Sequence, residues 1–597
     1  MDLHFGDSEP TDDERAAVDA LLGPPMSFWE GAERSEADLR RAGPSRGRRH
    51  LLLPGLHAIN DRVGWISEGA LAHLCRRLTV PPAEAYGVAT FSPLFSVRPR
   101  PATVLRMCTD LVCTAAGASE LCAAVEERLG GGVLLERSPC LGLCERAPAA
   151  LVTKAGDPVR TAVSAPATVE GAVLAASAPD SAPEEPPAET AVPQTGQDGL
   201  VLLSRVGVVD PSSLDDYRAH GGYTALRRAF ALGPAGVVRE VADSGPVGQG
   251  GAAFSAGRIW QDAAPRTHAR PPYLVCNAGG SAPGAFKDRV VMEGDPFALV
   301  EAMTIAAYAI GAHRGYLCVR DEFPRATSRV RHAVEQARTR GLLGDDVLGR
   351  GYAFDIEIRR GAGGYVRGEA TALLNSLEGH RGEPRCQPPS PTEQGLFGRP
   401  TAVHDVETLV GVLPVLTLGA PVYPTTGTEE FVGTQLFCVS GSVERPGVYE
   451  LPSGATRAEL LSAAGVRENL RAVLLGGATG SFVRPDELDV PLTVESGGGS
   501  GVVMAFDDTV PLPRLLLRIA GFFRNESCGR CVPCRVGTVR QEEALRRIVD
   551  RTGVAAADDI ALLRDVGRAM RDASMCGLGQ NAWNAVESAV DRLGVYG

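Results

Sequence analysis

Three cysteines within seven residues, Cys528, Cys531 and Cys534 in ESCGRCVPCRVGT, constrain this chain more than any other feature, and a fourth, Cys576, follows in SMCGLGQ. The C-x2-C-x2-C spacing lets one loop hold three corners of a cubane while the remote cysteine closes the fourth, so the pattern points to a [4Fe–4S] centre. A structural zinc draws its ligands as two separated pairs and leaves a third cysteine at this spacing without a role. A disulfide framework needs an oxidising compartment, whereas the start MDLHFGDSEPTDDERAA is acidic and lacks the apolar stretch of a signal peptide. The expected setting is therefore the cytoplasm, where thiols stay reduced. Arg530 and Arg535 flank the ligands and are expected to favour thiolate over thiol.

A second set lies near the N-terminus: Cys108 and Cys113 in MCTDLVC, then Cys140 and Cys144 in SPCLGLC. Two pairs on two loops suit a [2Fe–2S] rhomb, one pair for each iron. Two cysteine pairs also suit zinc, and the spacing alone leaves both open. The other cysteines (Cys75, Cys122, Cys276, Cys318, Cys386 and Cys438) show no such spacing and read as small core residues.

A chain of 597 residues that is 44% hydrophobic is expected to form several domains, about four on the length prior, each with its own core. No uncharged apolar run reaches the ~18 residues of a spanning helix. The net charge of −12 excludes a general nucleic-acid binder, because the one basic run, Arg46 to His50, is too short to reverse it.

Periodicity divides the chain. Residues 1–98 read as helical, with Ser67 as an N-cap before Leu71, Leu74 and Leu78, and Pro81-Pro82 opening a second short helix. In 99–175 the β-leaning runs Thr103–Met107 and Val133–Leu135 flank a helix at Ala118–Arg128, a small α/β unit that carries the first cysteine set on its loops. Residues 176–199, rich in Ala, Pro, Glu and Ser, read as a mobile linker. The region 200–435 gives strand, helix, strand at Tyr273–Cys276, Pro296–Ala312 and Gly315–Val319, as a layered nucleotide-binding fold requires. A small mixed β unit is expected over 436–495 and a helical bundle over 505–597, with the cysteine triplet opening one of its helices.

Two glycine-rich stretches stand out. In Gly248–Gly257 (GQGGAAFSAG) the backbone can turn its N–H groups toward a phosphate, although such a loop is as readily a structural turn. Gly497–Gly501 lacks flanking strand or helix signals and reads as a connector without function.

Taken together, GWISEGALAHL, YGVATF, the eight paired cysteines, GQGGAAFSAGRIW, YLVCNA, PGAFKDR, GGYVRGEATALLNSLEG, VETL, ESCGRCVPCRVGT and MCGLGQ resemble a fusion of the two flavoprotein-module subunits of respiratory complex I. NAD-linked hydrogenase diaphorases are similar. The resemblance runs from about Leu51 to near the C-terminus. It implies a multidomain α/β protein: N-terminal helices, a thioredoxin-like [2Fe–2S] domain, a Rossmann-like FMN/NADH domain, a ubiquitin-like β-grasp domain of SLBB type, and a C-terminal helical bundle holding [4Fe–4S]. It further implies that NADH passes a hydride to FMN and that electrons leave singly through the clusters to partner redox subunits, with neither nucleic-acid binding nor direct membrane insertion. By matching position, Gly248, Gly250, Gly251, Phe254, Gly257, Asn277, Tyr365, Gly368 and Glu369 would line the nucleotide site, with Glu369 in the catalytic role. The metal ligands would be Cys108, Cys113, Cys140, Cys144, Cys528, Cys531, Cys534 and Cys576.

The chain departs from the pattern at the nucleotide site. Gly279, Gly280 and Ala282 replace an acidic run, Ala370 replaces the second of a glutamate pair, Gln249 and Ile259 replace cations, and His404-Asp405 replace two asparagines. Asp262 and Ser390 stand where relatives have aromatics. Each lost charge-assisted contact typically costs about 1–3 kcal/mol. The alternative to a working diaphorase is thus an iron–sulfur relay or assembly subunit with an altered nucleotide site.

Overall fold

Apolar residues recurring every three to four positions build four helices at the N-terminus: α1 (Asp12–Leu22), α2 (Leu52–Val63), α3 (Glu68–Leu78) and α4 (Pro82–Thr90). Val18, Leu56, Leu74 and Val88 meet in their shared core. Ser67 caps α3 by accepting the Ala70 N–H at 3.0 Å, and Thr11 and Glu14 form a capping box on α1. The computed structural model describes residues 8–24, 48–181, 186–244, 255–264, 270–280, 282–419, 433–493 and 499–597.

The next unit is a four-stranded sheet in the order β2-β1-β3-β4, from β1 (Thr103–Cys108), β2 (Val133–Ser138), β3 (Ala150–Lys154) and β4 (Arg160–Ser164). Strands β1 and β2 run parallel, so both end on the same edge, and the loops that follow them carry the first cysteine set. Helices α5 (Leu111–Ala115), α6 (Ala118–Glu126) and α7 (Val169–Ser177) complete it.

Beyond α7 the structure corrects the reading of a mobile linker. Pro179–Ser181 and Ala188–Thr190 are short 3-10 turns, and Val192 is fully buried. Ala191 accepts the Val448 N–H at 2.7 Å, and the Gln194 amide exchanges two hydrogen bonds with the Glu450 backbone. The Glu450 carboxylate in turn accepts the N–H groups of Val201, Leu202 and Leu203. Composition described a linker here, but a sheet edge with unpaired backbone groups takes it up.

The large central unit is built on β5 (Tyr273–Ala278), β6 (Arg314–Val319), β7 (Asp355–Arg360) and β8 (Thr401–His404), all parallel in the order β7-β6-β5-β8. Near-continuous apolar runs such as YLVCNA suit strands covered on both faces. The covering helices are α8 (Leu214–Ala219), α9 (Thr224–Asp243), α10 (Ala256–Ala263), α11 (Lys287–Gly294), α12 (Pro296–Ile310), α13 (Pro324–Thr339), α14 (Ala370–Leu377), α15 (Val406–Val410) and α16 (Val412–Leu418). Helix α12 ends at Gly311, whose φ of 72° stops it just short of the expected Ala312.

A five-stranded sheet in the order β10-β9-β13-β11-β12 follows, from β9 (Thr434–Gly441), β10 (Gly447–Pro452), β11 (Leu470–Leu475), β12 (Ser481–Val483) and β13 (Val502–Asp507), with α17 (Arg457–Ala464) on one face. Strand β13 begins directly after Gly501, which overturns the reading of that glycine stretch as lacking a flanking strand. VVMAFD is buried throughout and pairs on both sides, so it carries no alternation to read.

The C-terminal bundle consists of α18 (Leu512–Glu526), α19 (Val532–Ile548), α20 (Ala557–Ala573), α21 (Gly577–Asn581) and α22 (Asn584–Leu593). Among the described residues no helix is long and apolar enough to cross a membrane.

Candidate functional site

Parallel pairing of β1 and β2 brings the first four cysteines together. Cys108 ends β1, Cys113 lies in α5, and Cys140 and Cys144 lie on the loop after β2. All four are buried. The Cys140 and Cys144 sulfurs are 3.4 Å apart, and Cys108 engages both Cys113 and Cys140. Asp110, which sequence reasoning did not single out, holds the two loops in register: one carboxylate oxygen accepts the Leu111 N–H at 2.9 Å and caps α5, the other accepts the Cys140 N–H at 3.1 Å.

Charge is unevenly shared within this quartet. Hydrogen bonds from Cys108 and Cys144 hold the Cys140 thiol well below its usual range, with Arg320 adding to the effect. Cys108 and Cys144 are pushed well above theirs, chiefly by their bonds to neighbouring thiols. The Gly142 N–H also points at the Cys140 sulfur, at 3.3 Å.

The second quartet converges too. Cys528, Cys531, Cys534 and Cys576 line one cavity of about 280 Å³, closed by Val366, Pro384, Met575 and Leu578 among others. Cys531 precedes α19 and Cys534 lies in its first turn, while Cys576 precedes α21. The Arg530 N–H donates to Cys528, and those of Leu578 and Gly579 donate to Cys576. The four sulfurs thus face one shared space rather than lying at separate places in the fold.

The expected thiolate-favouring role of the flanking arginines is not what the structure gives. Arg530 donates to the Pro384 carbonyl at 2.8 Å and Arg535 to the Gly529 carbonyl at 3.2 Å. Burial wins over charge: it pushes Cys534 up to about 11 and raises Cys528 and Cys576.

At the C-terminal ends of β5, β6 and β7 lies a cleft of about 630 Å³, the place where open parallel sheets bind ligands. Of the expected nucleotide-site residues, Asn277 and Gly368 line it, and the Asn277 amide donates to the Gly368 carbonyl at 2.9 Å. Tyr365 faces a neighbouring cavity instead. Gly257 sits in the first turn of α10, where a Cβ would meet the Ala242 backbone at 2.5 Å, so it is a packing glycine. Glu369 caps α14, accepting the Ala372 N–H at 2.8 Å, and is not among the residues lining the cleft. Gly248, Gly250, Gly251 and Phe254 lie outside the described residues.

Sequence reasoning missed the cations of this cleft. Arg320, Arg359, Arg360 and Arg367 all line it, whereas among the described residues no carboxylate does. The available signal was position, since VR and RR directly close β6 and β7. Arg320 bonds Glu322 at 2.9 Å, Arg359 pairs with Glu357 at 2.6 Å, and Arg360 pairs with Asp61 and Asp321. Burial pulls Arg367 down to about 10.

One turn connects the three places. Gly363, Gly364, Arg367 and Gly368 line the cleft, and Val366 closes the cavity of the second quartet. Tyr365 enters a third cavity, of about 550 Å³, that also contains Cys140, Arg320, Glu322, Phe522 and Glu526. The Arg320 guanidinium spans the same junction, donating to the carbonyls of Cys140 at 2.7 Å and Gly280 at 3.2 Å.

Comparison with known proteins matches each part. The family descriptions that fit are a thioredoxin-like [2Fe-2S] ferredoxin over 40–170, a Nuo51 FMN-binding domain over 241–414, an SLBB domain over 436–472, and the NADH-ubiquinone oxidoreductase-F iron-sulfur binding region over 514–593. The NADH-quinone oxidoreductase F subunit of Aquifex aeolicus is 38% identical over 398 residues, covering 66% of this chain and 92% of the relative. The HndC subunit of the NADP-reducing hydrogenase of Solidesulfovibrio fructosivorans is 39% identical, covering 66% and 81%. In three dimensions the chain is similar to a chain of NAD+-reducing [NiFe]-hydrogenase in the air-oxidised state, with a TM-score of 0.77, 30% identity, and coverage of 92% and 93%.

Proposed function

Because the chain belongs to the family of NADH-quinone oxidoreductase F subunits, we propose that it oxidises NADH through FMN and relays single electrons through a [4Fe–4S] and a [2Fe–2S] cluster to a partner redox subunit. The observation that carries this reading is the turn 363–368, whose neighbouring residues reach the strand-end cleft, the cavity of the second cysteine quartet and a third cavity that includes Cys140 of the first. An electron leaving the cleft then passes from one residue of this turn to the next on its way to Cys140 or to the second quartet.

The residues fit the implied groups. Each quartet gathers four sulfurs, and backbone N–H groups aimed at Cys140, Cys528 and Cys576 suit bound thiolates. The cleft offers a buried guanidinium atom with no partner among the described residues, Arg367 Nε, to an anionic cofactor. When bound, FMN supplies the exchange between a hydride and single electrons. In this reading Asn277 fixes the turn through Gly368, Arg320 ties the cleft to the Cys140 loop, and Leu53, Leu373 and Leu377 help keep water from the cleft. By the family resemblance Gly248, Gly250, Gly251, Phe254 and Gly257 belong to the nucleotide-binding segment, while Glu369 holds the start of α14 beside the turn 363–368. We also read residues 200–435 as a Rossmann-like unit, and the five-stranded sheet with α17 as a β-grasp unit that includes β13. Candidate partners are a quinone-reducing arm, a hydrogenase or a formate-type dehydrogenase.

A second reading, a cluster relay or assembly subunit with an altered nucleotide site, is favoured by one observation: among the described residues no carboxylate lines the cleft to accept from a ribose hydroxyl. Anaerobic purification and flavin absorbance separate the two. The diaphorase is yellow and bleaches when NADH is added; brown cluster colour without releasable flavin refutes it.

A further inference from the structure

Arg367 differs from the other arginines of the cleft. It is 8% exposed, and among the described residues its guanidinium donates to the Gly363 carbonyl and, at 2.7 Å, to the Ser92 hydroxyl, while lying 5.4 Å from the Phe91 ring. Nε has no hydrogen-bond partner among the described residues. Arg320, Arg359 and Arg360 each have a carboxylate in contact; Arg367 has none among the described residues and is attracted only at longer range by Glu526 and Glu322. A buried charge without a partner in contact is unfavourable unless something supplies one. The cleft that Arg367 lines is where an anion can reach it.

Position within the turn narrows which anion that is. Arg367 directly follows Val366, which closes the second quartet's cavity, and lies two residues after Tyr365, which reaches the cavity containing Cys140. The part of a flavin nucleotide that must lie near both exits is its redox-active ring, because that is where electrons leave. We propose that Arg367 is the electrostatic partner of the reduced flavin ring, an inference that rests on the functional reading above. NADH gives up a hydride, two electrons with one proton, and leaves as NAD+. The ring gains that hydride and one negative charge with it. The electrons then pass singly to the clusters and the proton to solvent, while Arg367 stays protonated and exchanges nothing. A fixed cation already aimed at the developing charge favours the reduced ring without reorganising.

The test uses the full chain loaded with FMN and both clusters, compared with Arg367→Gln, which keeps a donor for Gly363 and Ser92, and Arg367→Lys, which keeps the charge. Redox titration of the flavin-loaded fraction is expected to show Arg367→Gln favouring the oxidised flavin at least tenfold, about 30 mV for a two-electron couple. Sulfite, whose addition also leaves negative charge on the ring, is expected to bind that variant at least tenfold more weakly. Arg367→Lys is expected to stay near wild type in both. Should Arg367→Gln retain no flavin while Arg367→Lys does, the charge requirement is supported by that contrast. Equal potentials and sulfite affinities in wild type and Arg367→Gln overturn the inference, as do equal losses in both variants, which would mark Arg367 as a structural tie. A loss of preference for FMN over riboflavin with an unchanged potential assigns the charge to the phosphate and likewise overturns it. Wild-type protein that takes up no flavin overturns the functional reading and this inference together.

Discussion

Replacing Asp110 by alanine tests how the first cluster loop is held. The residue is 2% exposed, and its two carboxylate oxygens serve the α5 cap and the Cys140 N–H. Loss of an N-cap removes about 1 kcal/mol, and leaving the buried Cys140 N–H unpaired removes about 1–3 kcal/mol more. The Arg518 guanidinium 3.6 Å away keeps its own bond to the Thr109 carbonyl at 2.8 Å, so the bundle stays docked and the damage stays local. A local loss of about 2–4 kcal/mol makes opening of the loop about 30- to 700-fold more frequent, at tenfold for every 1.4 kcal/mol. The assay is chelator-driven loss of the [2Fe–2S] signal, followed by electron paramagnetic resonance with the [4Fe–4S] signal of the same sample as internal reference. The [2Fe–2S] signal is expected to decay far faster in Asp110→Ala than in wild type, with the [4Fe–4S] signal unchanged. If the two proteins lose [2Fe–2S] within twofold of each other, Asp110 does not hold the loop.

Two further outcomes are expected. Cys531→Ser removes the [4Fe–4S] signal and its share of the iron, whereas Cys386→Ser, at an exposed position outside both quartets, leaves iron content unchanged; equal effects refute the ligand assignment. His404 is buried, accepts the Trp260 indole N–H at 2.9 Å, and is lowered by burial to about 4, so between pH 6.5 and about 4 the unfolded chain binds a proton that the folded one does not. Stability is therefore full above the unfolded pKa and falls as pH drops through this window; melting curves of His404→Gln are expected to flatten that acid limb, and an identical pH dependence counts against the assignment.

Features that depend on local spacing were legible in the sequence. The cysteine intervals announce two four-sulfur sets, Ser67 announces a helix start, and the runs at Tyr273 and Gly315 announce strands. Features that depend on what lies across the fold were not. VVMAFD gives no alternation because both its faces are covered, and residues 186–199 look like a tether until the edge of β10 is there to receive them. The arginines beside the cysteine triplet failed as a guide because carbonyls of Pro384 and Gly529 claim them, leaving desolvation to govern the thiols. The cations of the cleft come from separate strand ends and a turn, and only the sheet makes them neighbours.

The turn 363–368 also sets a rule for anyone who would re-engineer this chain. Since Tyr365, Val366 and Arg367 serve different chambers in strict succession, an inserted or deleted residue there would hand each chamber the wrong side chain at one stroke. This hexapeptide has to be transplanted whole or left alone.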